Sequence, residues 1–233
     1  MTIETNPEYE TIGSDVFEKE EKEATSYLDS IRARATKAGV TCETTLHEST
    51  DASQAIVEEA TAKKVDIIII GRHGYKALAK ALMGEVAAKV IAHAPCKVMV
   101  VPRDAQIEYK NILVATDGST HAIAAVNEAI AIAKRCGSHV IALSAMRDET
   151  EREEARKYSN KAVEMAKKEG VEAEAVTPMG RSFKVIVETA GGRAVDLIVM
   201  GAYGKTGLKK VLMGSSTEKV IGNAGCGVLV VKA

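Results

Sequence analysis

Two stretches of the chain combine glycine, hydroxyl and basic residues at spacings suited to holding an anion. Residues 200–216 read MGAYGKTGLKKVLMGSS, and residues 70–86 read IGRHGYKALAKALMGEV. In the first, Gly201 and Gly204 follow an apolar run, can adopt positive φ and let a ligand approach the backbone closely. Gly214 and Ser215 open the next helix, whose first N–H groups and dipole favour negative charge. The chemistry this suits is phosphate binding. A second reading needs no ligand, because Ser215 with Glu218 fits the S-x-x-E capping box and glycines often end strands simply to turn. A P-loop is excluded: G-x-x-x-x-G-K-[ST] requires four residues between its glycines and this stretch has two.

Other reactive residues carry weaker signals. Cys42, Cys96, Cys136 and Cys226 show neither C-x-x-C spacing nor the density of a disulfide framework, so reduced thiols are expected and no metal site is assigned. Cys96 and Cys226 precede short apolar runs and read as small buried hydrophobes. His93 reads as a polar helix end and His73 as a surface residue. The runs FEKEEKE and RDETEREEARK read as solvated helix faces.

The elements that position these residues come twice. Residues 65–101 align without a gap to residues 195–231, an offset of 130, with roughly half the positions identical. Upstream, ASQAIVEEATAKKVD parallels SFKVIVETAGGRAVD, and AGVTCETTLHE parallels EGVEAEAVTPM with one residue of slippage. A period this long means duplicated domains rather than a solenoid. The expected division is 1–105 and 106–233, with the seam near PRDAQIEYKN at 102–111.

The second half reads as NILVAT (111–116), a helix through Ile123, Val126, Ile130 and Ala133, HVIALSA (139–145), a charged helix at 149–169, VEAEAVT (171–177), a helix at 182–191, VDLIVMG (195–201), a helix from Ser215, and GVLVVK (227–232). Continuous apolar runs such as DLIVM indicate strands covered on both faces. Alternation of strand and helix gives an α/β fold, a doubly wound parallel sheet with right-handed crossovers. The first half has a helix at about 15–37, with Phe17, Ala24, Leu28, Ile31 and Ala35 facing inward, then VTCETTLH and everything later. It lacks counterparts of NILVATDGS, the following helix and HVIALSA, a β-α-β portion of about 40 residues.

Composition narrows the function classes. A formal charge of −1 argues against a nucleic-acid surface, which needs excess Lys and Arg. No apolar run reaches the roughly 18–20 residues needed to span a bilayer. The acidic start MTIETNPEYETIGSDVFEKEEKE has no apolar signal region, and a cytoplasmic location is expected.

G-x-x-G, nine residues, then G-[ST], at Gly201, Gly204, Gly214 and Ser215, with an upstream strand ending VATDGS, resembles the universal stress protein family and its ATP-binding branch. The resemblance covers the chain as a tandem pair of adenine nucleotide alpha hydrolase-like domains, complete in the second half only. It implies ATP, ADP or AMP as ligand, with Mg²⁺ or Mn²⁺ as an optional companion, and a regulatory role in stress. It further implies that Asp117 hydrogen-bonds the adenosine part, while the backbone at Ala115, Thr116 and Met200 walls the adenine and ribose. Gly201, Tyr203, Gly204, Gly214, Ser215 and Ser216 surround the phosphates, and Ala145 offers backbone to the adenine edge. Without a ligand, Asp117 reads as an Asx turn in TDGS.

In resembling proteins the final strands pair antiparallel between subunits. Here KVMVV and GVLVV are expected to pair within one chain, and two chains to associate further as a homo-oligomer. Two rival functions are a slow ATPase or nucleotidyl transferase, and a ligand-free interaction module. The enzyme reading is weakened because only Lys205, Lys209 and Lys210 carry charge near the motif before Glu218.

The first copy keeps Gly71, Gly74 and Gly84 but has Glu85 in place of the serine. A carboxylate there repels phosphate by about 1 kcal/mol in water-like surroundings and about 4 at an effective dielectric of 20. No Asp117 counterpart exists either, so this copy is expected to bind no nucleotide. With a family strand order of 3-2-1-4-5, loss of strands 1 and 2 leaves VTCETTLH about two strand spacings from DIIII. The gap is expected to close by direct pairing, by residues 2–12, or by a partner chain.

Overall fold

The computed structural model describes residues 7–72, 83–204 and 213–233, with side chains from residue 18 onward. Its Cα framework divides into two compact units, Met1–Thr50 and Asp51–Ala233. The smaller contains helix α1, Pro7–Lys37, followed by residues 40–49 in no regular structure. Gly39 at φ +72° ends the helix region in the left-handed conformation that suits glycine.

The larger unit carries α2 (Ala52–Ala62), β1 (Ile67–Gly71), α3 (Glu85–His93), β2 (Lys97–Val101), β3 (Asn111–Ala115), α4 (Thr120–Cys136) and β4 (His139–Leu143). A 3-10 turn at Glu149–Glu151 leads into α5 (Arg152–Lys168), then β5 (Ala173–Val176), α6 (Ser182–Gly192), β6 (Leu197–Gly201), α7 (Ser215–Asn223) and β7 (Gly227–Val231). Among the described residues the strands form one seven-stranded sheet in the order β1-β2-β7-β6-β3-β4-β5. Every neighbouring pair is parallel except β2 and β7, which run antiparallel with Val98 opposite Val230, Met99 opposite Leu229 and Val100 opposite Val228. The final strands of the two repeats therefore join within one chain, as the sequence led us to expect. Each of these three pairs is symmetric about Met99 and Leu229, which are 130 residues apart and so are each other's repeat counterpart.

The period-2 alternation of strands sends successive residues to opposite faces. Val98, Leu113, Ile141, Ile198 and Val228 pack beneath α3, α6 and α7, whereas Met99, Ile112, Val140, Leu197 and Leu229 pack beneath α4 and α5. Burial on both sides explains why these strands read as unbroken apolar runs. Each repeat also braces the other. The Arg72 guanidinium donates to the carbonyls of Ile221, Gly222 and Ala224 at the end of α7, at 2.8–3.4 Å. Lys232 donates to Ala92 and Ala94 at the end of α3, at 3.1 and 2.9 Å. Cations suit these helix C-termini, whose last carbonyls have no intrahelical donor.

The first repeat departs from expectation. Residues 7–12 begin α1, eight residues earlier than the expected start, instead of forming a strand; residues 2–6 lie outside the described region. Among the described residues VTCETTLH enters no ladder, and β1 is the end strand of the sheet, hydrogen-bonded to β2 alone. Ile69, at its middle, is 64% exposed. A strand needs a neighbour on each side to satisfy its backbone, and among the described residues β1 has one.

Candidate functional site

The carboxyl ends of β3, β4 and β6 and the first turn of α7 surround a cavity of about 340 Å³. Every residue expected at the site lines it: Ala115, Thr116, Asp117, Ala145, Met200, Gly201, Tyr203, Gly204, Gly214, Ser215 and Ser216. Such a place is where an open α/β sheet gathers helix N-termini and strand-end loops.

One wall is the turn after β3. The Thr116 amide donates to the Leu143 carbonyl at 2.9 Å, tying this turn to β4. Asp117 Oδ1 accepts from the Ser119 amide at 3.0 Å, an Asx turn, and Ser119 Oγ accepts from the Ala122 amide at 3.3 Å as the N-cap of α4. Gly118 sits at φ +76°, where a Cβ would overlap the Tyr158 ring. Glycine is thus required both by the dihedral and by the aromatic covering the turn.

The opposite wall comes from β6 and α7, and here three expectations change. Gly201 and Gly204 do not have positive φ. Their lack of a side chain serves close approach instead: a Cβ at Gly201 would lie 2.8 Å from the His121 backbone, and one at Gly204 would lie 2.7 Å from Asp117 Oδ2. The N-cap of α7 is Gly214, at φ −67° and ψ 137°, with no side-chain cap, so Ser215 is the first helical residue and the Ser215–Glu218 capping box does not form. The Gly214 amide is already spent on the Ala202 carbonyl at 2.9 Å. The donors without an intrahelical carbonyl are the next three amides, those of Ser215, Ser216 and Thr217, because a helix's first N–H groups have none.

Residues the sequence reading missed are Ala122, Leu143, Ser182, Ile186, Met213 and Thr217. Thr217 is 3% exposed and its hydroxyl donates to the Gly201 carbonyl at 3.0 Å, pinning α7 to the end of β6. The polar run GSST was its available signal. Ile186 and Leu143 have only the ordinary appearance of core residues. Tyr203 tilts against His121 with ring centroids 5.3 Å apart. Among the described lining residues Asp117 is the one carboxylate; Lys205, Lys209 and Lys210 lie outside the described residues. No cluster of three or more His, Cys, Asp or Glu able to hold a metal occurs among the described residues.

The first repeat reproduces the backbone around this turn. The Gly84 amide donates to the Arg72 carbonyl at 2.9 Å, and the Arg72 amide to Val101 at 2.9 Å, matching Gly214 to Ala202 and Ala202 to Val231 at 2.9 and 2.8 Å. Gly84 caps α3 at φ −64° and ψ 147°. Glu85 then takes the first helical position and pairs with Lys89 at 2.9 Å. Gly74 and His73 lie outside the described residues. His93 Nδ1 lies 2.8 Å from the Lys89 carbonyl, and its counterpart Asn223 donates to Lys219 in the same manner, which makes both polar helix ends. All four cysteines are free thiols, and burial pushes Cys226 up to about 11 and raises Cys96 from its ordinary value.

The model of the Universal stress protein family matches the chain twice, over residues 3–102 and 108–232. A universal stress protein of Methanocaldococcus jannaschii is 37% identical over 146 residues, covering 56% of this chain and 86% of that one. One from Thermus aquaticus is 34% identical over 139 residues, covering 53% and 99%. Among solved structures, a universal stress protein from Archaeoglobus fulgidus superposes with a TM-score of 0.76 at 21% identity, covering 93% of this chain and 78% of its own, a likeness of fold. Two family matches on one chain, over the two halves that the internal repeat and the antiparallel β2–β7 seam had already separated, show that the chain belongs to the universal stress protein family.

Proposed function

We propose that this tandem universal stress protein binds one ATP, or a related adenine nucleotide, in the half spanning 106–233, and that occupancy regulates a cytoplasmic stress response. The incomplete half, 1–105, binds none. The observation that carries the reading is the convergence of Asp117, Gly204 and the Ser215–Thr217 amides on one cavity of about 340 Å³, within the range of small-molecule sites.

The residues fit the ligand's parts. Ala115, Leu143, Ile186 and Met200 offer apolar surface to a base. The Asp117 carboxylate would accept from a sugar hydroxyl. The first amides of α7 and its positive dipole end would face the phosphates, with the Ser215 and Ser216 hydroxyls beside them. A divalent ion would neutralise phosphate charge when bound. Nothing among the described lining residues supplies a base for attack on the γ-phosphate beyond Asp117, which favours a binding role over a turnover role.

Isothermal calorimetry with ATP and Mg²⁺ on the full chain tests this. One site per chain is expected, with binding weakened by at least tenfold in Ser215→Glu, which places the first repeat's carboxylate in the second. Absence of heat with ATP, ADP and AMP, and no adenine nucleotide released from denatured protein, would instead support the ligand-free module.

A further inference from the structure

Helix α1 and helix α5 are repeat counterparts, yet they differ in what covers them. Aligning the left-handed glycines that follow them, Gly39 at φ +72° and Gly170 at φ +73°, matches Ala24 with Ala155, Leu28 with Ser159, Ile31 with Ala162 and Ala35 with Ala166. On α5 these four residues are 0–4% exposed. On α1 the same positions are only half-buried, although Leu28 and Ile31 are more apolar than the Ser159 and Ala162 they replace. Tyr27 matches Tyr158, whose ring closes over Gly118; Tyr27 is 67% exposed, and the first repeat has no TDGS turn for it to cover. The stripe is retained, and it is more apolar at two of its four positions.

The stripe also has its own period. Positions 24, 28, 31 and 35 are spaced four, three, four, the seam of a coiled coil, on a helix of 31 residues, about 46 Å long at 1.5 Å per residue. At the positions flanking the stripe, Glu18 and Glu20 lie toward the amino terminus and Arg32 and Arg34 toward the carboxyl terminus, Arg32 also pairing with Asp29 at 2.6 Å, while Lys19, Lys22 and Asp29 lie away from the seam. Two such helices in parallel and in register would leave these four residues without an opposite charge across the seam.

We propose that α1 pairs antiparallel with α1 of a second copy of this chain, about a two-fold axis beside Ser26. Ala24 then faces Leu28 of the second copy, a small residue against a large one, and Ile31 faces the stem of Glu21. The flanking positions meet as opposite charges, Glu18 with Arg32 and Glu20 with Arg34, each pair occurring twice. Both Tyr27 side chains lie together at the axis. The interface is isologous, the symmetry that most soluble homodimers use.

Sedimentation equilibrium of the full chain at low salt tests the pairing with two charge-reversed variants. Arg32→Glu with Arg34→Glu leaves only acidic groups at the flanks, and Glu18→Arg with Glu20→Arg only basic ones. Each alone should raise the dimer Kd at least tenfold, and an equimolar mixture of the two should return it to within threefold of the wild-type value. Recovery on mixing cannot come from misfolded variants, and a parallel pair would not couple residues 18 and 32. A wild-type chain that stays monomeric, or variants that dimerise as wild type does, would overturn the proposal. The readout is independent of nucleotide binding.

Discussion

Gly201 and Gly204 lie three residues apart and are small for different reasons, which separates stability from binding. A methyl group at Gly201 would press on the His121 backbone, which cannot swing aside, so Gly201→Ala should destabilise by about 1–3 kcal/mol in a denaturant titration. At Gly204 the methyl meets the end of the Asp117 side chain, which can rotate. Gly204→Ala should therefore leave the denaturation midpoint nearly unchanged while weakening ATP at least tenfold by calorimetry, the scale of one lost hydrogen bond to a charged group. That these residues line one cavity was legible in the sequence because glycine and hydroxyl spacing survives without knowledge of the fold. The reasons behind the spacing were not: whether Gly201 is needed for φ or for contact depends on His121, about 80 residues away, and the Gly214 amide is consumed by a carbonyl that no motif names. Leu143 and Ile186 could not be distinguished from core because apolar lining and apolar core have the same composition.

At the scale of elements, strands and helices of the complete repeat fall close to where periodicity puts them, since each buries a face whose pattern is local. VTCETTLH shows the limit. Its alternation suits a strand, but a strand requires a partner, and among the described residues this segment pairs with none. Among the described residues β1 stands as an uncharged edge of four isoleucines and a glycine, a surface prone to pair with other chains. Ile69→Lys should lower light scattering of a concentrated sample during heating without lowering the unfolding midpoint. Beside this edge strand's repeat, α2 begins at Asp51, which accepts from the Ser53 hydroxyl and from the Ser53 and Gln54 amides at 2.9 and 3.3 Å. The Ser53 hydroxyl first, then the Gln54 amide, hold its carboxyl at about 2, below the ordinary 3.8. A depressed folded-state value means that unfolding takes up a proton in acid. The cap's contribution is complete above about pH 4 and is lost as pH falls through about 2. Asp51→Asn, which still caps but does not titrate, should show a smaller fall in melting temperature than wild type between pH 5 and pH 2.

At the scale of the molecule, the two repeats share a sheet and exchange helix-capping cations. Arg72→Ala strips the end of α7 of a charged donor and should cost about 1.5–3 kcal/mol in urea, while the β2 and β7 registers keep unfolding in the larger unit a single transition by both circular dichroism and calorimetry. Neither Arg72 nor Lys232 was legible as a brace, because their repeat counterparts are Ala202 and Pro102 and their partners lie about 140–150 residues away. The meeting of Met99 with Leu229 carries the larger lesson. Met99 faces its own duplicate and the pairs on either side, Val98 with Val230 and Val100 with Val228, exchange places under the repeat, the relation found across the axis of a symmetric pair, yet both sides are tied into one polypeptide. Dilution cannot part them and partners cannot be exchanged, so one side is free to drift in sequence while the contact between them persists.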